Sequence, residues 1–262
     1  MKRFILETEP DKDGLVRLGG DDYNYLVRVR RLAVGERFAA LLPGGIEAVV
    51  QIASVENHLL VGEVSTSEEV QKPCGNLPPI ILLQSMLKGD KMDLIVRQAA
   101  ESSAAQIVPF ASAFSVVKLR NNDLQKLSRW QRIVREARQQ SGSAVATVVH
   151  QPVSIEGLFA HWEQMKADHP GIVGLLFHHL PLANERLHQY LGKSREAGEP
   201  EAVAVAIGPE GGFSPAEAQR FLAAGFKPFT IEDTVLRSET AALYAQAAVR
   251  IILSERDSWQ MN

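Results

Sequence analysis

The stretch VAVAIGPEGGFSPAE, residues 203–217, joins a predicted strand to a predicted helix through a glycine-rich turn. Its first six residues have the apolar, β-branched composition of a central strand. The letters SPAE, residues 214–217, match a capping box with proline at the first helical position. In an open α/β sheet, ligands bind beyond the carboxyl ends of the strands, where such turns lie. The stretch therefore predicts an α/β fold with a ligand site at residues 208–212.

The composition of this turn argues against a phosphate ligand. Its glycines have neither of the spacings typical of phosphate-binding loops. Pro209 offers no amide proton, and the Glu210 carboxylate would repel a phosphate at short range. S-adenosylmethionine, with a sulfonium centre and ribose hydroxyls, is a better match. An alternative stays open at this point: the glycines only provide unusual backbone angles and Glu210 is solvated.

A second polar turn lies near the C-terminus, in FTIEDTVLRSETAAL, residues 229–243. The segment begins as a strand and becomes an apolar helix, for which Ser238 or Thr240 is the expected cap. Because the carboxyl ends of adjacent parallel strands meet at one edge of a sheet, the two turns are expected to wall a single pocket.

Composition limits the class of protein. The chain has 262 residues, 45% of them hydrophobic, which is enough for one large domain or two smaller ones. A net charge of -3 gives the whole protein no attraction to a polyanion, so nucleic-acid binding needs a local basic patch. The single cysteine, Cys74, excludes an internal disulfide and a multi-cysteine metal site. We find no pattern of a signal peptide or membrane span and predict a cytoplasmic protein without metal.

The pattern of apolar and polar residues changes near residue 72. Residues 1–72 contain short apolar runs separated by turn signals, which predicts a small β domain, a barrel. The charged and proline-rich segment 67–79 marks the boundary. Residues 73–262 alternate apolar strand-like runs with amphipathic segments, and this alternation predicts a mostly parallel α/β sheet. Asp90 is the expected N-cap of the first of these helices, and Gly142 the expected end of the next.

The paired motifs IGPEGGFSPAE (207–217) and VLRSETAAL (235–243) resemble those of the RsmE-type uridine-N3 methyltransferases of small-subunit ribosomal RNA, in the SPOUT class. The segments at 87–102, 115–119 and 129–143 also resemble that family, as does VRRLAVGE at 29–36. The sequence departs from the family pattern at Ile231-Glu232, where the family has Leu-Gly. It also departs at Tyr25, at Arg30 and at Ser102-Ser103.

This resemblance implies a PUA-like β barrel over 1–72 and, over 73–262, a trefoil-knotted sheet with helices on both faces. It further implies a homodimer that methylates N3 of one uridine in the decoding region of 16S rRNA, within the assembled small subunit. The cofactor would be S-adenosylmethionine. The residues implied to contact it are Leu176, Phe177, His178, Ile207, Gly208, Pro209, Gly211, Gly212, Ile231, Val235, Leu236, Ser238 and Thr240.

Methylation of N3 requires removal of the imide proton and alignment of the nitrogen with the methyl group. Arg237 is the candidate for stabilising negative charge on the uracil oxygens or for gripping a phosphate. A helix cap or an ion pair to Glu239 is its alternative role. Glu239 and Glu210 are candidate bases if their surroundings raise their pKa.

For RNA contact the resemblance favours five basic residues, while the arginines at 129, 132, 135 and 138 are interpreted as solvated surface. His178 and His179 are expected to line or brace the pocket rather than bind a metal. The five candidates for RNA contact are Arg28, Arg30, Arg31, Lys88 and Lys91.

Two other functions stay open on sequence alone. A dinucleotide-dependent oxidoreductase is supported by Glu232 and Asp233, which lie about 20 residues beyond the glycines, where a ribose-binding acid is expected. A non-catalytic factor that binds ribosomal RNA during assembly is the second alternative, because the Ile231-Glu232 strand end departs from the family pattern.

Overall fold

The computed structural model describes residues 3–66, 77–117, 123–178, 186–193, 200–231 and 234–255. The chain divides into two compact units. The first comprises Met1–Asn76 together with Arg138–Ala146, and the second comprises Leu77–Ala137 with Thr147–Asn262. The predicted boundary at residues 72 and 73 lies outside the described residues. Assignment of 138–146 to the first unit was not foreseen, because nothing in a helical pattern signals a change of packing partner.

The first unit contains one five-stranded sheet, ordered β1-β3-β4-β5-β2. All its pairings are antiparallel except that of β1 with β3. A short helix, α1 (Gly20–Tyr23), and a π-helical turn at Asn24–Val29 follow β2 and bury Leu26 in a core with Phe4 and Phe38. The strands are β1 (Phe4–Ile5), β2 (Leu15–Leu18), β3 (Arg37–Leu41), β4 (Glu47–Glu56) and β5 (Leu59–Ser65).

The second unit is built on a sheet in which every described pairing is parallel, as the alternating pattern predicted. Its order is β12-β10-β11-β6-β7-β8, and β9 also pairs with β7. The strands β6 and β11 are buried along their whole length, as is expected for central strands of a parallel sheet. The strands are β6 (Ile80–Ser85), β7 (Gln106–Ala111), β8 (Val148–Val149), β9 (Val153–Ser154), β10 (Ile172–Phe177), β11 (Ala202–Ile207) and β12 (Lys227–Phe229).

Helices cover both faces of this sheet. Alternate residues of β11 point to opposite sides: Val203 and Val205 belong to one hydrophobic cluster, and Ala204 to the other. The first cluster includes residues of α2, α3, α5 and α7, and the second includes residues of α4 and α6. The helices are α2 (Lys91–Glu101), α3 (Asp123–Ser141), α4 (Ile155–Asp168), α5 (Leu187–Lys193), α6 (Pro215–Ala223) and α7 (Ser238–Glu255).

Local signals place the end of α3 as predicted, whereas the cap of α2 and the lengths of two strands differ. Gly142 follows α3 at φ +74, a left-handed conformation that ends the helix as predicted. Asp90 occupies the N-cap position of α2, but its side chain makes no capping hydrogen bond. The strand expected at the start of 229–243 is short, because β12 ends at Phe229, and β8 has only two residues.

Candidate active site

A cavity of about 190 Å³ lies in the second unit at the carboxyl ends of β10 and β11. Its walls come from three segments: the end of β10, the glycine-rich turn after β11, and the segment between β12 and α7. The two turns quoted from the sequence therefore do meet at one cavity. The lining residues are Phe177, His178, Ile207, Gly208, Pro209, Glu210, Gly211, Gly212, Phe213, Ile231, Thr234, Val235, Leu236, Ser238 and Ala241.

The glycine-rich turn has little room for side chains. The Gly212 amide donates to the Pro209 carbonyl oxygen at 2.9 Å, which closes a tight turn. Gly212 has φ +71, a conformation that costs an L-residue about 1–2 kcal/mol. A Cβ added to Gly208 would lie 3.2 Å from the carbonyl carbon of Gly212. Glycine is thus favoured at 212 by backbone conformation and at 208 by close approach.

The capping box predicted at the start of α6 is present. The Ser214 hydroxyl accepts from the Glu217 amide at 3.3 Å, and Glu217 Oε2 accepts from the Ser214 amide at 2.9 Å. The other carboxylate oxygen of this buried residue accepts from the Ala113 amide at 2.8 Å. One carboxylate therefore fixes the glycine-rich turn, the helix start and the segment that follows β7.

Ser238 joins the two turns. It is the first residue of α7, and the first helical hydrogen bond runs from the Ala241 amide to the Arg237 carbonyl at 2.8 Å. The predicted role of Ser238 as helix cap is therefore wrong, because Arg237 holds that position. The buried Ser238 hydroxyl instead donates to the Gly208 carbonyl oxygen at 2.6 Å and accepts from Gln84 Nε2 at 3.0 Å.

A lysine links two carboxylates beside the cavity. Lys91 Nζ, from the first turn of α2, donates to Glu210 Oε1 at 2.6 Å and lies 3.7 Å from Glu239 Oε2. The Glu239 side chain is only 12% exposed. Its Oε2 accepts no hydrogen bond within the described part of the chain. That oxygen is buried, and Glu239 is not among the residues that line the cavity.

The ion pair between Lys91 and Glu210 shifts the pKa values of its two members in opposite directions. The hydrogen bond from Lys91 lowers the pKa of Glu210, although partial burial opposes the shift. The bond to Glu210 raises the pKa of Lys91, and the positive charge of Arg237 opposes that rise. A lowered pKa weakens a general base, so this geometry favours an electrostatic role for Glu210 over that of proton acceptor.

Of the residues implied to contact a cofactor, all but two line the cavity. Leu176 is fully buried in the cluster shared with α4 and α6, because its side chain points to the other face of the sheet. Thr240 is exposed on the first turn of α7 and is not among the lining residues. His178 is buried, and its amide donates to the Phe229 carbonyl oxygen at 2.9 Å. His179, Glu232 and Asp233 lie outside the described residues.

The candidates for RNA contact fall into both units. Arg28 and Arg31 are exposed in the first unit, Arg30 is half-buried there, and Arg31 adopts φ +57. In the second unit Lys88 is exposed, whereas Lys91 is already paired with carboxylates. Arg237 is exposed one residue before α7.

The arginines of α3 do not all lie on solvated surface. Arg129 is exposed and pairs with Asp93. Arg138 is half-buried in the first unit, and its Nη2 donates to the Ala144 carbonyl oxygen at 3.5 Å. Burial lowers the pKa of the Arg138 guanidinium, while the negative charge of Glu7 opposes the shift.

Sequence reasoning missed several residues of this site. Thr234, Phe213 and Ala241 line the cavity within the two quoted turns but were not among the predicted contacts. Gln84 does carry a local sequence signal, because it is a polar residue inside the apolar run IILLQS and a buried amide needs hydrogen-bond partners. The pairing of Lys91 with Glu210 spans 119 positions, so no motif could have indicated it.

Two other properties bear on the kind of site. Among the described residues, no three His, Cys, Asp or Glu side chains form a group that could hold a metal ion. No helix in the described ranges has the length and apolar character needed to cross a membrane.

The parallel sheet, the cavity at its carboxyl edge and the small sheet domain are shared with a known class of proteins. Residues 75–250 match the protein family described as "RNA methyltransferase domain". Residues 18–65 match the family described as "RNA methyltransferase PUA domain". The class defined by fold and site is that of the RNA methyltransferases.

Full-length relatives narrow the class. The chain is 31% identical to ribosomal RNA small subunit methyltransferase E of Synechocystis, over 96% of this chain and 78% of that protein. It is 25% identical to the Bacillus subtilis protein of the same name, over 95% of this chain and 96% of that protein. The crystal structure of the Neisseria gonorrhoeae enzyme bound to S-adenosyl methionine is similar to this chain with a TM-score of 0.77 and 25% sequence identity. The similarity covers 96% of this chain and 98% of that protein. The chain belongs to the ribosomal RNA small subunit methyltransferase E family.

Proposed function

We propose that this protein transfers a methyl group from S-adenosylmethionine to N3 of one uridine in the decoding region of 16S rRNA, on the assembled small subunit in the cytoplasm. The observation that carries the proposal is the hydrogen bond between Ser238 and the Gly208 carbonyl, which closes two turns around one cavity. Membership of the family supports ribosomal RNA of the small subunit as the substrate. The choice of uridine N3 rests on the resemblance of the paired motifs.

The residues of the cavity suit this cofactor. Phe177, Ile207 and Leu236 provide an apolar wall that suits an adenine ring, and the glycine-rich turn offers backbone groups for its polar edge. The Glu210 carboxylate suits a sulfonium or ribose hydroxyls and would repel the pyrophosphate of a dinucleotide. When bound, S-adenosylmethionine supplies an electrophilic methyl group.

The chain's own residues have two tasks in this reaction. The uracil ring must be held with N3 in line with the methyl group, and its N3 proton must be accepted. Glu239 is the proposed acceptor, because its buried Oε2 accepts no hydrogen bond within the described chain and lies near Lys91, which also holds the cavity-lining Glu210. Arg237, exposed at the start of α7, is proposed to stabilise negative charge on the uracil oxygens. Lys91 positions both carboxylates.

Two surfaces are proposed to bind macromolecules. Arg28, Arg30 and Arg31 form a basic segment of the PUA-like unit and are proposed to bind phosphates of the RNA. A homodimer is proposed to form through α7, which exposes apolar side chains at three positions that share one side of the helix. These are Leu243, Tyr244 and Ile251, which are 36%, 55% and 50% exposed.

The test is methyl transfer from labelled S-adenosylmethionine to small ribosomal subunits that lack the modification. Naked 16S rRNA serves as the parallel substrate, and nucleosides are identified by mass spectrometry. We expect N3-methyluridine on subunits. Transfer to another base or position would refute the uridine-N3 assignment. Binding to subunits without any transfer, and without a shift in melting temperature from the cofactor, would instead indicate an assembly factor.

A further inference from the structure

An exposed aromatic residue lies next to the glycine-rich turn. Phe114 is 51% exposed, in the segment that follows β7. Its side chain packs against Gly211: a Cβ added to Gly211 would lie 3.2 Å from Phe114 Cβ and 3.6 Å from Phe114 Cγ. Gly211 also lines the cavity. Phe114 therefore stands at the rim of the candidate active site, with about half of its surface in solvent.

The turn that carries Phe114 is held in place by hydrogen bonds on both sides. Ser115 Oγ accepts from the Ser112 amide at 3.0 Å, and the Ser115 amide donates to the Ser112 carbonyl oxygen at 3.1 Å. Ser85 Oγ, at the end of β6, lies 2.8 Å from Ser115 Oγ and 2.9 Å from Ser112 Oγ. The Ala113 amide is bound by the Glu217 carboxylate.

Hydrogen bonds fix the backbone on both sides of Phe114 to β6 and α6, so little backbone freedom is lost when a flat partner covers the ring. The neighbouring Val116 is 71% exposed, so the apolar surface extends beyond the ring. An aromatic ring presented in this way is the usual platform for an unpaired base, because every base has a π-face.

We propose that Phe114 is a stacking platform for an unpaired RNA base next to the nucleotide that enters the cavity. The proposal rests on the proposed function, since it requires an RNA substrate. RNA whose nucleotide enters the cavity beside Gly211 would bring its neighbouring bases close to Phe114. A second copy of the chain is a less suitable occupant, because α7 offers a larger apolar surface.

The test compares the full-length protein with Phe114→Leu, Phe114→Tyr and Phe114→Ala, with small subunits lacking the modification as substrate. Val148→Ala is the matched control, since Val148 is 50% exposed on β8 and does not line the cavity. We expect Phe114→Leu to raise KM for subunits about tenfold, with Phe114→Tyr close to wild type. Affinity for S-adenosylmethionine, measured by calorimetry, should not change in Phe114→Leu or Phe114→Tyr, which keep a large side chain against Gly211.

Equal KM values for wild type, Phe114→Leu and Phe114→Ala would overturn the proposal. So would a change of oligomeric state in Phe114→Ala by sedimentation, which would assign the ring to a contact between copies. If the wild-type protein transfers no methyl group, the proposed function fails separately. In that case photocrosslinking with an oligouridine that carries 5-iodouridine decides: crosslinks at Phe114 support stacking, and crosslinks only elsewhere refute it.

Discussion

Lys91 Nζ donates a 2.6 Å hydrogen bond to Glu210 Oε1, and so joins the first turn of α2 to the glycine-rich turn after β11. The same ammonium group lies 3.7 Å from the buried oxygen of Glu239. A carboxylate that lines the cavity and another that is proposed to accept a proton thus share one counter-charge. The lysine was expected to contact RNA, and its position beside these carboxylates suggests a different role.

Replacement of Lys91 by methionine separates the two roles. If Lys91 positions the carboxylates, Lys91→Met should lower kcat on the order of tenfold to a hundredfold, because reacting groups lose their alignment. The pKa of Glu210 should rise towards its usual value, which can be followed by carboxylate NMR. Lys227→Met, at an exposed position on β12 outside the cavity lining, is the control. A raised KM with a salt slope reduced by about one, and kcat unchanged, would instead indicate a phosphate contact.

Loss of the Ser238 hydroxyl should loosen the cavity. Ser238→Ala leaves Gln84 and the Gly208 carbonyl short of a buried partner, at a cost of about 1–3 kcal/mol in the free energy of unfolding. Affinity for S-adenosylmethionine should fall by roughly tenfold for each ~1.4 kcal/mol of lost preorganisation. Urea unfolding and calorimetry measure the two effects. Thr240→Ala, at an exposed position outside the cavity lining, should change neither.

Alanine variants at two glycines with positive φ separate the effect of backbone strain from an effect on cofactor binding. Gly212 (φ +71) lines the cavity, whereas Gly225 (φ +92) is not among the lining residues and has open space at its Cβ position. Alanine at either position should lower the free energy of unfolding by about 1–2 kcal/mol. Only Gly212→Ala should weaken cofactor binding in a titration. Equal weakening by both variants would mean that the loss follows global stability alone.

Gly174 tests the packing of the sheet under α4 and α6. A Cβ at Gly174, in β10, would lie 2.8 Å from two ring atoms of Phe226. Gly174→Ala should therefore destabilise the protein by about 1–3 kcal/mol through overpacking. Phe226→Leu should relieve part of that loss in the double variant, which a double-mutant cycle of urea unfolding would detect. Strict additivity of the two substitutions would contradict the clash.

His150 gives an expectation for pH. Burial lowers its pKa, and the neighbouring His161 adds to the shift, while the ring lies 2.9 Å from Gln106 Oε1. Below about pH 6.5 the unfolded chain binds a proton that the folded His150 resists, so stability should fall with falling pH and level off below the folded pKa. His150→Gln should reduce the loss of melting temperature between about pH 7.5 and 5.5. Parallel curves for both proteins would argue against this assignment.

The sequence was informative wherever the deciding interaction is local. The capping box of Ser214 and Glu217 joins residues three positions apart, and Gly142 ends α3 by its own backbone conformation. Alternation of apolar runs predicted the parallel sheet and the site at its edge. The PUA-like unit, by contrast, came from resemblance of motifs, and the trefoil knot implied by that resemblance stays a prediction.

Long-range contacts could not be predicted in this way. The bond from Ser238 to Gly208 spans 30 positions, and that from Ala113 to Glu217 spans 104. Each depends on the order of strands in the sheet, which periodicity does not encode. Ser238 was expected to cap its own helix by local preference, but its hydroxyl is used by a turn on another strand.

The order of strands in the larger sheet has a consequence for biosynthesis. The strand β11 lies between β10 and β6, although β6 leaves the ribosome more than a hundred residues earlier. One edge of β6 has no strand partner from this sheet until residues 202–207 emerge, and an open apolar edge is prone to wrong pairing. The nascent chain therefore has to keep this edge protected for much of translation. We therefore expect synthesis of this chain to depend on protection of that edge by chaperones, because the middle of the sheet is completed late.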